Sequence, residues 1–328
     1  MLVFYARPHP LFVEISGSLF ALEVNSRFGL EYFEHMIEAI FAGEICVAVF
    51  RAAAGLPLES IWKLTDGKME KAYSLDIVWG FLLGLIGAAV AAMFATFHSH
   101  VMGFFRAQGL LDNDRAIQRA MLGAAVVVGL GALIPHTMFW GEYEIQTVGT
   151  LSKADTLFNV WPTSGAFGFE VETGGTALLM GFAKLVAISF IVAGGYRGGY
   201  IFPLFCSGAA LGRAIHCVMP FIDVQLCILC MAASMNVALT RTAIASTLIL
   251  SYLAGEQAAI SAILASSLIS LFVTAYMPFI KTQVNRPDIS YATEPSQRSI
   301  REIEDMPDLR ELLRAASLEN NDEEPLHV

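Results

Sequence analysis

The stretch that decides the reading is GGYRGGYIFPLFCSGAALGRAI, Gly194 to Ile215. Four glycines fall within residues 194–199, and Pro203 then opens an apolar run over 204–215. Proline suits a first helical turn, because the N–H it lacks would be unpaired there anyway. The glycines let the preceding backbone turn and approach a ligand closely. The N–H groups of Gly199, Tyr200 and Ile201 then point ahead of the helix, with Phe202 and Pro203 completing the turn. Together with the helix dipole they make a site for an anion without a full positive charge. A weak dipolar site suits conduction, since the ion must also leave. Arg197 adds attraction if it faces the path. The competing reading is a glycine-rich connection between two packed helices, with no ligand.

The rest of the chain gives this stretch its setting. Of 328 residues, 55% are hydrophobic and only 15% charged, with a mean hydropathy of +0.59. A soluble domain carries about 25% charge, so the composition argues against an ordinary soluble enzyme and against a disordered chain. The net charge of −10 leaves no basic footprint for nucleic acid. The fold class is therefore an all-α, multi-pass membrane protein whose partner is the lipid bilayer. Apolar runs at 74–97, 120–134, 175–194, 224–240, 242–255 and 257–280 read as helices, with weaker ones at 11–24 and 35–50. Residues 242–255 would extend only about 21 Å as a helix, too short for a hydrocarbon core of about 30 Å. Short helices and a glycine–proline interruption at membrane depth point to a transporter or channel site. Gly80/Gly84 and Gly208/Gly212 have the spacing of close helix packing.

Other signals are weaker. Cys227 and Cys230 form a CxxC inside an uncharged run and read as helix filler, so no metal or cofactor is expected. His98 and His100 read as interfacial residues. An embedded hydrolase would rest on these histidines and on Glu142 and Glu144. Neither HExxH nor GxSxG accompanies them, so no enzyme activity is expected. In FWGEYE the two glutamates read as an interfacial loop, with Trp140 and Tyr143 as an aromatic belt. Lys184 is the one charge in its span. It either biases a pore toward anions or pairs with a carboxylate such as Glu23, Glu142 or Glu144. Residues 281–328 carry six Lys/Arg and eleven Asp/Glu and read as a solvent-exposed end.

GGYRGGYIFPLFCSGAALGR resembles the third signature of the CLC family of chloride channels and chloride/proton antiporters, a GGxFxP loop opening a helix. GSLFALEV from Gly17, IPHTMFWGEYEI from Ile134, KLVAISFIVAGG from Lys184 and MAASMNVALTRTAIASTLIL from Met231 are similar to further landmarks, in the family's order. The resemblance implies an inverted-repeat helical fold working as a homodimer, with chloride as the transported ion held against Tyr200 and Ile201. It places the dimer face on the segments matching 11–24, 35–50, 242–255 and 257–275. It divides the chain into an atypical start, 1–10, a partial CLC-like transmembrane domain, 11–286, and an acidic cytoplasmic tail, 287–328, too short for a pair of nucleotide-binding CBS domains.

The chain also departs from the family pattern. The GSGIP and GREGP signatures, which supply a pore serine and a gating glutamate, are not found in it, so most of the first repeat is expected to be missing. Ile280 stands where the family has a pore tyrosine, and Ala243 where proline is usual. In antiporters of the family, the segment matching GSLFALEV ends in two acidic residues, the second being the inner proton acceptor. Here Glu23 is followed by Val24, which cannot titrate. This implies passive conduction without proton coupling, and Glu23 itself reads first as a satisfied helix-end carboxylate.

Overall fold

The computed structural model describes residues 45, 49, 53, 62–64, 69, 73–157, 160, 164–196, 198–199 and 201–275. Glu23, Val24, Arg197, Tyr200, Ile280 and the acidic tail lie outside them. The described residues form eight α-helices and no strand: α1 Ser74–Ala107, α2 Ala116–Leu133, α3 Glu144–Thr150, α4 Gly174–Ala193, α5 Ile201–Val218, α6 Val224–Thr240, α7 Ala243–Leu253 and α8 Ile260–Val273. Four of these (α1, α2, α4 and α5) are long and apolar enough to cross a membrane.

Polar residues at the helix ends do local work. Asp76, the single charge expected in the first span, lies in the first turn of α1 and accepts from Tyr73 N–H at 2.7 Å. Thr173 caps α4, accepting from Thr176 N–H at 3.2 Å, and Asp223 caps α6, accepting from Gln225 N–H at 2.7 Å. Each satisfies a donor that the helix leaves unpaired. Helix α5 starts at Ile201, ahead of the expected 204, so Pro203 is its third residue. That position still lacks an intrahelical acceptor, so the proline breaks no bond.

Helix α6 is the core. It is buried from Gln225 through Thr240 and is packed by α1, α5, α7 and α8. A helix that is apolar all round is expected in such a place. Gly208 and Gly212 let α5 lie directly on it: a Cβ at Gly208 would meet Ala232 Cα at 2.6 Å, and one at Gly212 would meet Ile228 Cα at 2.9 Å. Serine hydroxyls tie the helices together. Ser207 donates to Gly181 O at 2.8 Å, Ser234 to Gly84 O at 2.7 Å, Ser266 to Cys230 O at 2.7 Å and Ser270 to Ser234 O at 2.8 Å. Small polar residues of this kind hold helices together where lipid offers no hydrophobic drive. Cys227 and Cys230 are buried in α6 with free thiols.

Helices α6 and α7 are separated by a sharp break. Arg241 takes the left-handed conformation, φ 64°, and ends α6. Its guanidinium donates to Thr274 Oγ1 at 2.9 Å and to the carbonyls of Leu271 and Thr274, covering the C-terminus of α8. Across the break runs a buried chain of polar groups. Asn236 Nδ2 donates to Ser246 Oγ at 2.8 Å, Ser246 and Thr242 hydroxyls lie 3.1 Å apart, and Thr242 and Thr240 hydroxyls 2.7 Å apart. Thr240 Oγ1 then donates to the carbonyl of Asn236 at 2.9 Å, closing the circuit.

Candidate anion site

The glycine loop is anchored on one side and open on the other. Gly194 caps α4 and Gly195 follows with φ 85°. Tyr196 Oη donates to Ala120 O at 3.1 Å, and Arg119 lies so close that a Cβ on Gly195 would meet its guanidinium carbon at 2.9 Å. The near end is thus fixed to α2. Gly198 and Gly199 are exposed, and among the described residues other than their chain neighbours no atom lies within 4 Å of where a Cβ would stand. Ile201, Phe202 and Pro203 are half-buried at the start of α5. The N–H groups of Ile201 and Phe202 have no intrahelical acceptor, Pro203 has none to offer, and an 18-residue helix lies behind them. Gly199, Ile201, Phe202 and Pro203 therefore stand together at one helix N-terminus, the arrangement that binds anions through partial charge.

A buried layer supports this turn. It begins at a 3-10 turn, Pro135–Thr137, and runs to α3. Gly141, φ 93°, packs against the side chain of Cys206, one turn into α5, and a Cβ on it would lie 3.6 Å from Phe202 O. Lys184 of α4 reaches into the same layer at 2% exposure and donates to Thr137 O at 3.0 Å and to Phe139 O. Two backbone carbonyls thus hold the ammonium, and Glu144 acts on it through charge.

Glu144, the first residue of α3, is 2% exposed. This differs from the interfacial loop expected for FWGEYE, because the chain folds inward at Gly141 and carries the second glutamate under α5. Burial pushes its carboxyl up to about 7, opposed by its own backbone N–H and by Lys184. Glu142 is half-buried. Trp140 Nε1 donates to its carboxylate at 3.1 Å and Trp62 Nε1 to its carbonyl at 2.6 Å. Burial raises its carboxyl too, while the Trp140 hydrogen bond lowers it. His136 is fully buried, and neither ring nitrogen has a hydrogen-bond partner among the described residues. Burial lowers its pKa, with Glu170 acting upward and Lys184 downward. The sequence marked Lys184 and offered Glu144 as one of three carboxylates that could pair with it, but did not mark Gly141 as part of this layer. The signal available was a glycine beside two acids between two apolar spans.

Helices interrupted at a glycine loop and at an arginine turn, with one helix N-terminus opening at the loop, define a membrane transporter-type architecture. The family model for the voltage gated chloride channel matches residues 13–275. The chain belongs to that family. Among solved structures it is similar to one titled as a CLC-type fluoride/proton antiporter, with 19% sequence identity and a TM-score of 0.57, over 80% of this chain and 59% of that one. A search of the curated proteins gives no significant match.

Proposed function

We propose that this chain conducts chloride or a similar small anion passively across a membrane, along a path partly formed by the first turn of α5. The observation that carries the reading is the open helix N-terminus at Gly199–Ile201–Phe202–Pro203, with exposed glycines ahead of it. A dipolar site of this kind holds an anion weakly enough to release it. Tyr200 adds its backbone to the site by the family resemblance, and Arg197 and Lys184 are the candidates for biasing the path toward anions. Val24 after Glu23 removes the inner proton acceptor and favours conduction over exchange. The working unit is a homodimer, with no cofactor and no chemical turnover.

A second reading is a non-conducting, dimerising partner, favoured by the lack of GSGIP- and GREGP-like segments in these 328 residues. A third is anion/proton exchange, favoured by the fluoride/proton antiporter whose fold this chain shares. Reconstitution into chloride-loaded liposomes separates the three. Passive conduction gives chloride efflux that a Gly199→Val substitution slows, with no stoichiometric proton uptake. No flux above empty liposomes supports the partner reading, and chloride-driven proton pumping supports the exchanger.

A further inference from the structure

We infer that Glu144 is a proton-binding residue that sets the charge beneath the anion-facing turn of α5, so that its protonation strengthens anion binding there. This rests on the anion-conduction reading and adds to it a site that the family's glutamate-gated mechanism does not include.

The geometry starts from the fold of the Phe139–Trp140–Gly141–Glu142 loop. Gly141 seats it on Cys206, and Glu144 follows on the same buried side at 2% exposure. Cys206 lies five residues beyond Ile201, roughly 8 Å along the helix axis from the first-turn N–H groups. Lys184 donates to the carbonyls of Thr137 and Phe139 in the same stretch, so the ammonium and the buried carboxyl share the layer that Gly141 seats on α5, and each acts on the other through charge. The ionisable groups facing this patch are Lys184 from α4, Cys206 from α5, Glu142 and Tyr143 from the adjoining loop, and His136 from the 3-10 turn through its coupling to Lys184.

With Glu144 ionised, a buried negative charge lies beneath the helix N-terminus and opposes its dipole. With Glu144 protonated, that negative charge is gone and the helix dipole acts unopposed. An anion ahead of α5 is then held more tightly, and by linkage the bound anion raises the affinity of Glu144 for its proton. Burial already brings the carboxyl's titration to about 7, where ordinary changes of pH alter its charge. One proton is involved and none is carried across, so the device tunes conduction without coupling it to proton transport.

The test uses the full chain purified in detergent, with chloride as the probe. Chloride binding is read by thermal stabilisation and by calorimetry at pH 5.5, 7.0 and 8.5. The expected result is tighter binding at pH 5.5 than at pH 8.5 by on the order of tenfold, the size of one charge acting at this range through a partly shielded interior. Glu144→Gln is expected to bind at the acid-state affinity throughout, while Glu142→Gln and His136→Gln keep the wild-type profile. Infrared titration of the wild type, with Glu144→Asp to assign the carboxyl band, reports the protonation directly even if Glu144→Gln folds poorly. Chloride binding with the same pH profile in wild type and Glu144→Gln, transfer of the effect to Glu142→Gln or His136→Gln, or a Glu144 band titrating in the ordinary carboxylate range overturns the inference and leaves anion conduction standing. Absence of chloride binding at every pH overturns the conduction reading, and this inference with it.

Discussion

Lys184 and Glu144 show how far a residue's place can differ from its neighbours' in the sequence. Lys184 was legible as an intramembrane charge. Its acceptors were not, because the carbonyls of Thr137 and Phe139 carry no mark in the amino-acid code. Replacing it with methionine leaves those two buried carbonyls without their donor. The expected cost is about 2 kcal/mol or more, at 1–3 kcal/mol for each unpaired group, seen as a lower melting temperature in detergent. Glu144 gives a pH-dependent counterpart. Its folded-state carboxyl titrates near 7 against an ordinary 4.5, so the proton stabilises the fold. That benefit is complete below pH 4.5 and is lost as pH rises through 7. Glu144→Gln should therefore melt higher than wild type at pH 8.5, by up to about 3 kcal/mol, and converge with it at low pH. Parallel melting curves at all pH values would contradict this.

At the scale of elements, the long helices were legible because hydropathy and length suffice to find them. The break at Arg241 was also legible, as a charge between two uncharged runs. The seven-residue α3 was not, since it is too short to show a period and its sequence, EIQTVGT, is mixed in character. The glycine spacing at 208 and 212 announced close packing without naming a partner, which is α6. Gly212→Leu forces a side chain into the backbone at Cys227 and Ile228. Overpacking of this kind costs about 1–3 kcal/mol or more, and the expected readout is loss of the monodisperse detergent-solubilised protein. Gly103 has open space where a Cβ would stand, so Gly103→Ala should leave melting unchanged or slightly raised.

For the molecule as a whole, hydropathy and the order of landmarks pointed to the family that the match over 13–275 establishes. The anion site was legible only in outline. GGYRGGYIFP located the helix opening, but the buried layer beneath it joins α4 to the loop after α2 and to α3, with Lys184 and Thr137 in contact although 47 residues apart in sequence. The flanks of the opening differ in their contacts: the Gly194–Tyr196 side is tied to α2, while Gly198 and Gly199 face open space among the described residues. The polar circuit joining Asn236, Ser246, Thr242 and Thr240 is a second tie. It ends on a carbonyl of α6 itself, so α6 and α7 are joined on both sides of the Arg241 bend. With the Arg241 guanidinium on the C-terminus of α8, the bend becomes a three-way joint in which one residue both ends a helix and closes another.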